Sequence, residues 1–157
     1  MLKNLPDAFE LPVACDHGGL ELKKHLMAKF PSIKWNDLGT YDDKSVDYPD
    51  YAAKLSLQLK GMNPSTRDPE KFPPLGVLIC GSGQGMAIRA NRDHHIRAAL
   101  CWSEDVAELA RQHNNANVLC LGGRVMAHDL CEKILVKFLT TPFEGGRHAG
   151  RVQKLSC

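Results

Sequence analysis

The six cysteines include no C-x-x-C pair: Cys15, Cys80, Cys101, Cys120, Cys131 and Cys157 are scattered along 157 residues. That spacing argues against a structural zinc site and against a disulfide framework, and leaves reduced, packed thiols as the expectation. No apolar stretch approaches the roughly 18 residues of a membrane span. Residues 1–12 contain acidic side chains and lack the apolar centre of a signal peptide, so a cytoplasmic location is expected. An excess of one charge is missing too. Twenty basic and 18 acidic residues leave a formal charge of +2, and the basic ones are dispersed. Neither nucleic acid nor an anionic membrane is therefore an expected partner, whereas a small anionic ligand stays open. Internal repeats and low-complexity tracts are also lacking, and the length suits one domain over residues 1–157.

What is present is an alternation of short β-rich runs with amphipathic stretches, the pattern of a parallel sheet covered by helices on both faces. Strands are expected at 11–15, 33–38, 76–80, 96–101 and 117–121. Helices are expected from Leu20 to Phe30, where Pro31 stops the run, over 51–60 with Pro49 near the first turn, from the glycine turn to about Asn91, from an N-cap at Ser103 to about His113, and over 127–139. Residues 61–74 hold Pro64, Pro69, Pro73 and Pro74 among polar residues and read as a surface loop. A short terminal helix would place Arg147 and Arg151 one turn apart on the same face.

In open parallel sheets ligands collect beyond the carboxyl ends of the strands. Here those positions carry Asp16 and His17 after the first strand and Cys80 at the end of the third. After Cys80 comes Gly81-Ser82-Gly83-Gln84-Gly85. Three glycines let the backbone approach a ligand closely while the next helix directs N–H groups at it, a cradle for an anion or oxyanion. The turn departs from the dinucleotide fingerprint, because Met86 occupies the third glycine position, and it lacks the Gly-Lys-Ser/Thr of a P-loop. A tight structural turn is the competing reading. Cys80 beside a helix N-terminus is placed to be a base, since such a position lowers a thiol from its ordinary value of about 8.5; an apolar filler at a strand end is the alternative. His113 at a helix end is either a general acid or base or a solvated histidine, and His17 carries the same ambiguity. Arg147 and Arg151 form either a phosphate clamp or a solvated pair.

Taken in order, the motifs resemble those of the ribose-5-phosphate isomerase B family, which also includes allose- and galactose-6-phosphate isomerases. The resemblance runs from Val13 to about Leu155. It rests on Cys15-Asp16-His17-Gly18-Gly19, Asp47-Tyr48-Pro49-Asp50-Tyr51-Ala52 and Cys80-Gly81-Ser82-Gly83-Gln84-Gly85-Met86. It continues through Arg97-Ala98-Ala99, Arg111-Gln112-His113-Asn114-Asn115-Ala116-Asn117 and Gly122-Gly123-Arg124, and ends in Glu144-Gly145-Gly146-Arg147-His148-Ala149-Gly150-Arg151.

The resemblance implies a Rossmann-like three-layer α/β/α sandwich with a five-stranded parallel sheet. It also implies a homodimer or homotetramer whose active site is shared between subunits, with no metal and no cofactor. Cys80 would be the base that moves a proton between carbons 1 and 2 of the open-chain sugar phosphate, since Met86 stands where other members place a glutamate base. Ser82 would shuttle the proton between oxygens, and the amides of Gly81, Gly83 and Gly85 in the turn would hold the enediolate. His113 would open the sugar ring with Asp16 nearby, while Tyr48, Asn91 and Asn114 line the site. His17, Arg124, Arg147 and Arg151 would bind the phosphate, the arginines coming from the neighbouring subunit. The favoured activity is interconversion of ribose 5-phosphate and ribulose 5-phosphate. A six-carbon sugar phosphate and a non-catalytic phosphosugar-binding module are the alternatives.

Overall fold

The computed structural model describes residues 9–62, 68 and 70–156. Five parallel strands form the sheet: β1 (Glu10–Cys15), β2 (Lys34–Asp37), β3 (Gly76–Cys80), β4 (Ala98–Leu100) and β5 (Val118–Gly122), in the spatial order β2-β1-β3-β5-β4. The helices are α1 (Leu20–Lys29), α2 (Tyr48–Gly61), α3 (Gln84–Ala90), α4 (Glu104–Asn114), α5 (His128–Thr140) and α6 (Arg147–Gln153), with 3-10 turns at His17–Gly19 and Lys154–Ser156. Parallel strands need crossovers, and the helices supply them. Among the described residues no helix is long and apolar enough to cross a membrane.

The two-residue period of the strands sorts their side chains into two cores. Val13, Cys15, Val77, Ile79, Leu119 and Leu121 face α1, α4 and α5, where Leu22, Leu26, Ala107, Ile134, Leu135 and Phe138 close over them. Ala14, Leu78, Cys80, Val118 and Cys120 face α2 and α3, meeting Ala52, Leu55, Met86 and Ala90. Both faces of β3 are thus covered, which is why its sequence is continuously apolar. Each fully buried Leu, Ile or Val contributes roughly 1.5–3 kcal/mol. Pro12 fits in β1 because pairing with β3 begins only at Val13, one residue beyond it.

The strand and helix assignments stand with shifted ends. Residues 96 and 97 fall outside β4 because the Arg97 N–H donates to the Asn117 side chain (2.7 Å) instead of a neighbouring strand. α2 starts three residues earlier than expected, at Tyr48, with Pro49 in its first turn where a missing N–H costs nothing. Ser103 caps α4 as expected, its Oγ accepting from the Val106 N–H at 3.2 Å. Asn115 ends α4 in the left-handed conformation (φ 47°), which an asparagine adopts more readily than most residues. Of the proline-rich segment 61–74, residue 61 closes α2, while positions 63–67 and 69, with Pro64 and Pro69, lie outside the described residues.

Two buried cations tie the layers together. Lys23 of α1, 1% exposed, donates to Asp37 Oδ1 and to the Thr40 carbonyl, both at 2.6 Å. Arg111 of α4 is fully buried and donates to the carbonyls of Thr141, Ala116 and Lys71 and to the Asn115 side chain. It joins the end of α4 to the segment after α5 and to the chain leading into β3.

Candidate active site

The strand order reverses between β1 and β3: β2 lies beyond β1 on one side and β5 beyond β3 on the other. At such a switch point the loops leave in opposite directions and a crevice opens at the carboxyl edge. A pocket of about 420 Å³ occupies it, lined by Asp16, Tyr48, Cys80, Gly81, Ser82, Gly85, Arg124 and Val125. Seven of the eight were singled out in the sequence. Val125 was not, because an apolar side chain carries no chemical signature; its place after the end of β5 was the one available cue.

The Cys80 side chain is buried from bulk solvent, at 5% exposure, yet it forms part of the pocket wall. The Gly83 N–H donates to its sulfur at 3.1 Å, an interaction that serves a thiolate better than a thiol. Gly83 makes this possible through a left-handed backbone (φ 79°), and a Cβ there would stand 2.5 Å from Leu100 Cδ1. Across the turn the Tyr48 ring covers Gly85 so closely that a Cβ would approach it to 2.6 Å. The Gln84 N–H donates to Ser82 Oγ at 3.4 Å. Two amides of the turn are therefore committed to side chains, and the remaining N–H groups at the start of α3 lack an acceptor within the helix.

Asp16 is 8% exposed and caps the 3-10 turn, its Oδ1 accepting from the Gly19 N–H at 3.1 Å. His17, next in sequence, is not among the residues lining the pocket. Its Nδ1 accepts from the Val46 N–H at 3.3 Å, which leaves the proton on Nε2 and pins the loop before α2 to the end of β1. None of the four other described cysteines lines the pocket. Burial raises Cys15 to about 11 in spite of the Lys23 cation nearby, Cys101 to about 12 and Cys131 to about 11, and holds Cys120 well above its ordinary value. These four are packing residues.

Three expectations need correction or relocation. Arg124 was expected to reach the site from a neighbouring subunit, but it lies in the pocket of its own chain, with Cδ 3.4 Å from where a Cβ of Gly81 would be. Its N–H donates to the Gly81 carbonyl, which fixes the β5 end against the turn. Asn91, expected to line the site, ends α3 and is bound to the first residue of β4: its Nδ2 donates to the Ala98 carbonyl (2.9 Å) and its Oδ1 accepts from the Ala98 N–H (2.8 Å). A side-chain amide there imitates a strand partner, at the opposite edge of the sheet from Cys80.

His113, Asn114, Arg147 and Arg151 also stand at that opposite edge. α4 ends just before β5 begins, and the Glu144 N–H donates to the Gln112 carbonyl, docking the approach to α6 against it. β3 spans five residues, so roughly 15 Å separates the two edges. Arg147 and Arg151 are exposed one turn apart on α6, as expected. The His113 ring stacks on that of His148, with centroids 4.2 Å apart and planes 11° apart, a contact the sequence did not disclose. Burial first, and then the neighbouring His113 and Arg147, hold the His148 imidazole below its ordinary value.

Doubly wound topology, a crevice at the switch point and a cysteine beside a glycine-rich turn define an α/β protein equipped to bind a small polar substrate. Comparison with known proteins identifies the group. Residues 11–155 match the family described as Ribose/Galactose Isomerase, and the chain belongs to it. The chain is 36% identical over 150 residues to ribose-5-phosphate isomerase B of Escherichia coli, covering 94% of this chain and 95% of that one. The crystal structure of a ribose 5-phosphate isomerase from Thermotoga maritima is 43% identical, with a TM-score of 0.86 over 95% of this chain and 98% of that one. Ribose-5-phosphate isomerase B from Mycoplasma genitalium, solved with bound ribulose-5-phosphate, is 40% identical with a TM-score of 0.84, covering 96% of each chain.

Proposed function

We propose that this isomerase interconverts ribose 5-phosphate and ribulose 5-phosphate by proton transfer through an enediolate, with Cys80 as the base. The observation that carries the reading is the Cys80 sulfur in the pocket wall, hydrogen-bonded by the Gly83 N–H and grouped with Asp16, Ser82 and Arg124. In the aldose-to-ketose direction the Cys80 thiolate takes the proton on C2 and the electron pair forms the C1–C2 double bond. Ser82 relays a proton from the C2 hydroxyl to O1, and the Cys80 thiol returns its proton to C1, so atoms and charge balance. Uncommitted amides at the start of α3 and Arg124 face the negative charge of the bound substrate. A positioned base supplies about 10² to 10⁴ in rate and each oxyanion donor about 10² to 10³.

His113, Asn114, Arg147 and Arg151 stand too far from Cys80 of their own chain to act on the same molecule. A second copy of the chain supplies them: its His113 opens the sugar ring and its arginines hold the phosphate. The enzyme is accordingly a homodimer or a dimer of dimers with shared sites. His17, with its proton on Nε2, sits beside the pocket as a further phosphate donor.

The test is turnover of purified protein on ribose 5-phosphate in the presence of a chelator, run beside allose 6-phosphate. Ketose formation on the five-carbon sugar, falling by about 10² or more in Cys80→Ala while phosphosugar binding persists, is the expected result. Ligand-dependent thermal stabilisation without turnover would mark a binding module, and faster reaction of the six-carbon sugar would reassign the substrate.

A further inference from the structure

At the amino edge of the sheet three metal-ligating side chains converge. His113 ends α4, Glu144 precedes α6, and His148 lies in its first turn. Their nitrogen and oxygen atoms all fall within 4.8 Å of one another. Both Nε2 atoms face the same carboxylate oxygen, Glu144 Oε2, at 4.0 Å from His113 and 3.6 Å from His148. Those separations exceed a hydrogen bond and lie at ion-pair range, so the carboxylate draws both imidazoles toward one point. The same separations are close to the separation of about 3.3 Å between two ligands of a tetrahedral zinc ion bound at about 2.0–2.1 Å.

We propose that His113, Glu144 and His148 bind a divalent transition-metal ion of the zinc class, and that the bound ion inhibits the enzyme by capturing His113. The rings are nearly parallel, so one imidazole must turn for both lone pairs to meet at one point. His113 has the room, since its side chain is 37% exposed at a helix end, and Glu144, 49% exposed, can follow; His148 is buried and serves as the fixed ligand. The Glu144 N–H bond to the Gln112 carbonyl holds the loop at the distance required. Imidazole and carboxylate ligands favour zinc, copper, nickel and cobalt over magnesium or calcium. Arg147 and Arg151 oppose a cation electrostatically, which fits an inhibitory, exchangeable ion more than a resident one.

Binding stands on these residues alone, whereas the inhibitory part rests on the isomerase reading and on His113 as ring opener. The experiment titrates the purified full-length chain with Co²⁺, whose visible bands report its ligands. One Co²⁺ per chain is expected, with nitrogen and oxygen ligation and no thiolate charge-transfer band. His148→Asn and Glu144→Gln should each weaken binding by about tenfold or more. Zn²⁺ should displace the cobalt and lower turnover reversibly on addition of EDTA, and Mg²⁺ should do neither. Absence of binding, equal binding in both variants, or a thiolate band marking Cys80 as ligand would overturn the site. Binding as described without loss of turnover would overturn the inhibition alone. Should the metal-free protein turn over no sugar phosphate, the isomerase reading fails while the cobalt titration still decides the site.

Discussion

The two edges of the sheet hold functional side chains in opposite ways. At the carboxyl edge Asp16, Cys80, Ser82 and Arg124 converge in a pocket whose geometry comes from strand register: Cys80 pairs with Gly122, and the next residues of β3 and β5 are bonded backbone to backbone. At the amino edge His113, Arg147 and Arg151 project from helix ends, and Arg111 beneath them supplies the rigidity. The first arrangement encloses a small molecule within one chain. The second presents cationic groups outward, suited to complete a site on another copy. In the proposed reaction a second copy of the chain would bring together groups that one strand length divides.

Mixing inactive variants breaks or sharpens that contrast most forcefully. Cys80→Ala and His113→Ala should each be nearly inactive, and co-refolded mixtures should regain about a quarter of wild-type turnover, because half the dimers are mixed and each of those carries one intact site of two. A mixture as inactive as its components would overturn the shared site. The next effect is on stability. Arg111→Ala strands several buried carbonyls and should cost about 3 kcal/mol or more in urea unfolding. At modest denaturant it should loosen the amino edge in hydrogen exchange before the turn at 81–85; simultaneous loosening would mean that the edges are not independent.

The smallest effect is on pH dependence. Because His148 is held below its ordinary value of 6.5, the unfolded chain takes up the proton first as pH falls. Its contribution is therefore present above about pH 6.5 and is lost as pH drops below that value towards the folded pKa. Thermal scans from pH 7.5 to 5.5 should show a steeper decline for wild type than for His148→Asn, and parallel curves would remove the role given to burial.

Much of the carboxyl edge could be read in advance because strand-end chemistry is local. Cys80 and its glycine turn are contiguous, and Asp16 follows directly on an apolar run. Arg124 was recognised and assigned to the wrong chain, since sequence does not tell which crossover brings β5 next to β3. Asn91 lies outside this chain's pocket, bonded to Ala98, and an amide that bonds a strand edge looks, in sequence, like one that bonds a sugar. Val125 gave no signal, and the partnership of His113 with His148 joins residues 35 positions apart through the docking of α6 on α4.

Alternating apolar periods determined the parallel α/β architecture and its two covered faces, because side-chain direction repeats every two residues in a strand and about every 3.6 in a helix. The glycine turn likewise wrote its own conformation, since a left-handed backbone at position 83 excludes nearly every other side chain. Only the tertiary structure decided which residues share an edge. Strand order and helix docking arise from long-range packing, and that packing set Cys80 and His113 at opposite ends of the sheet.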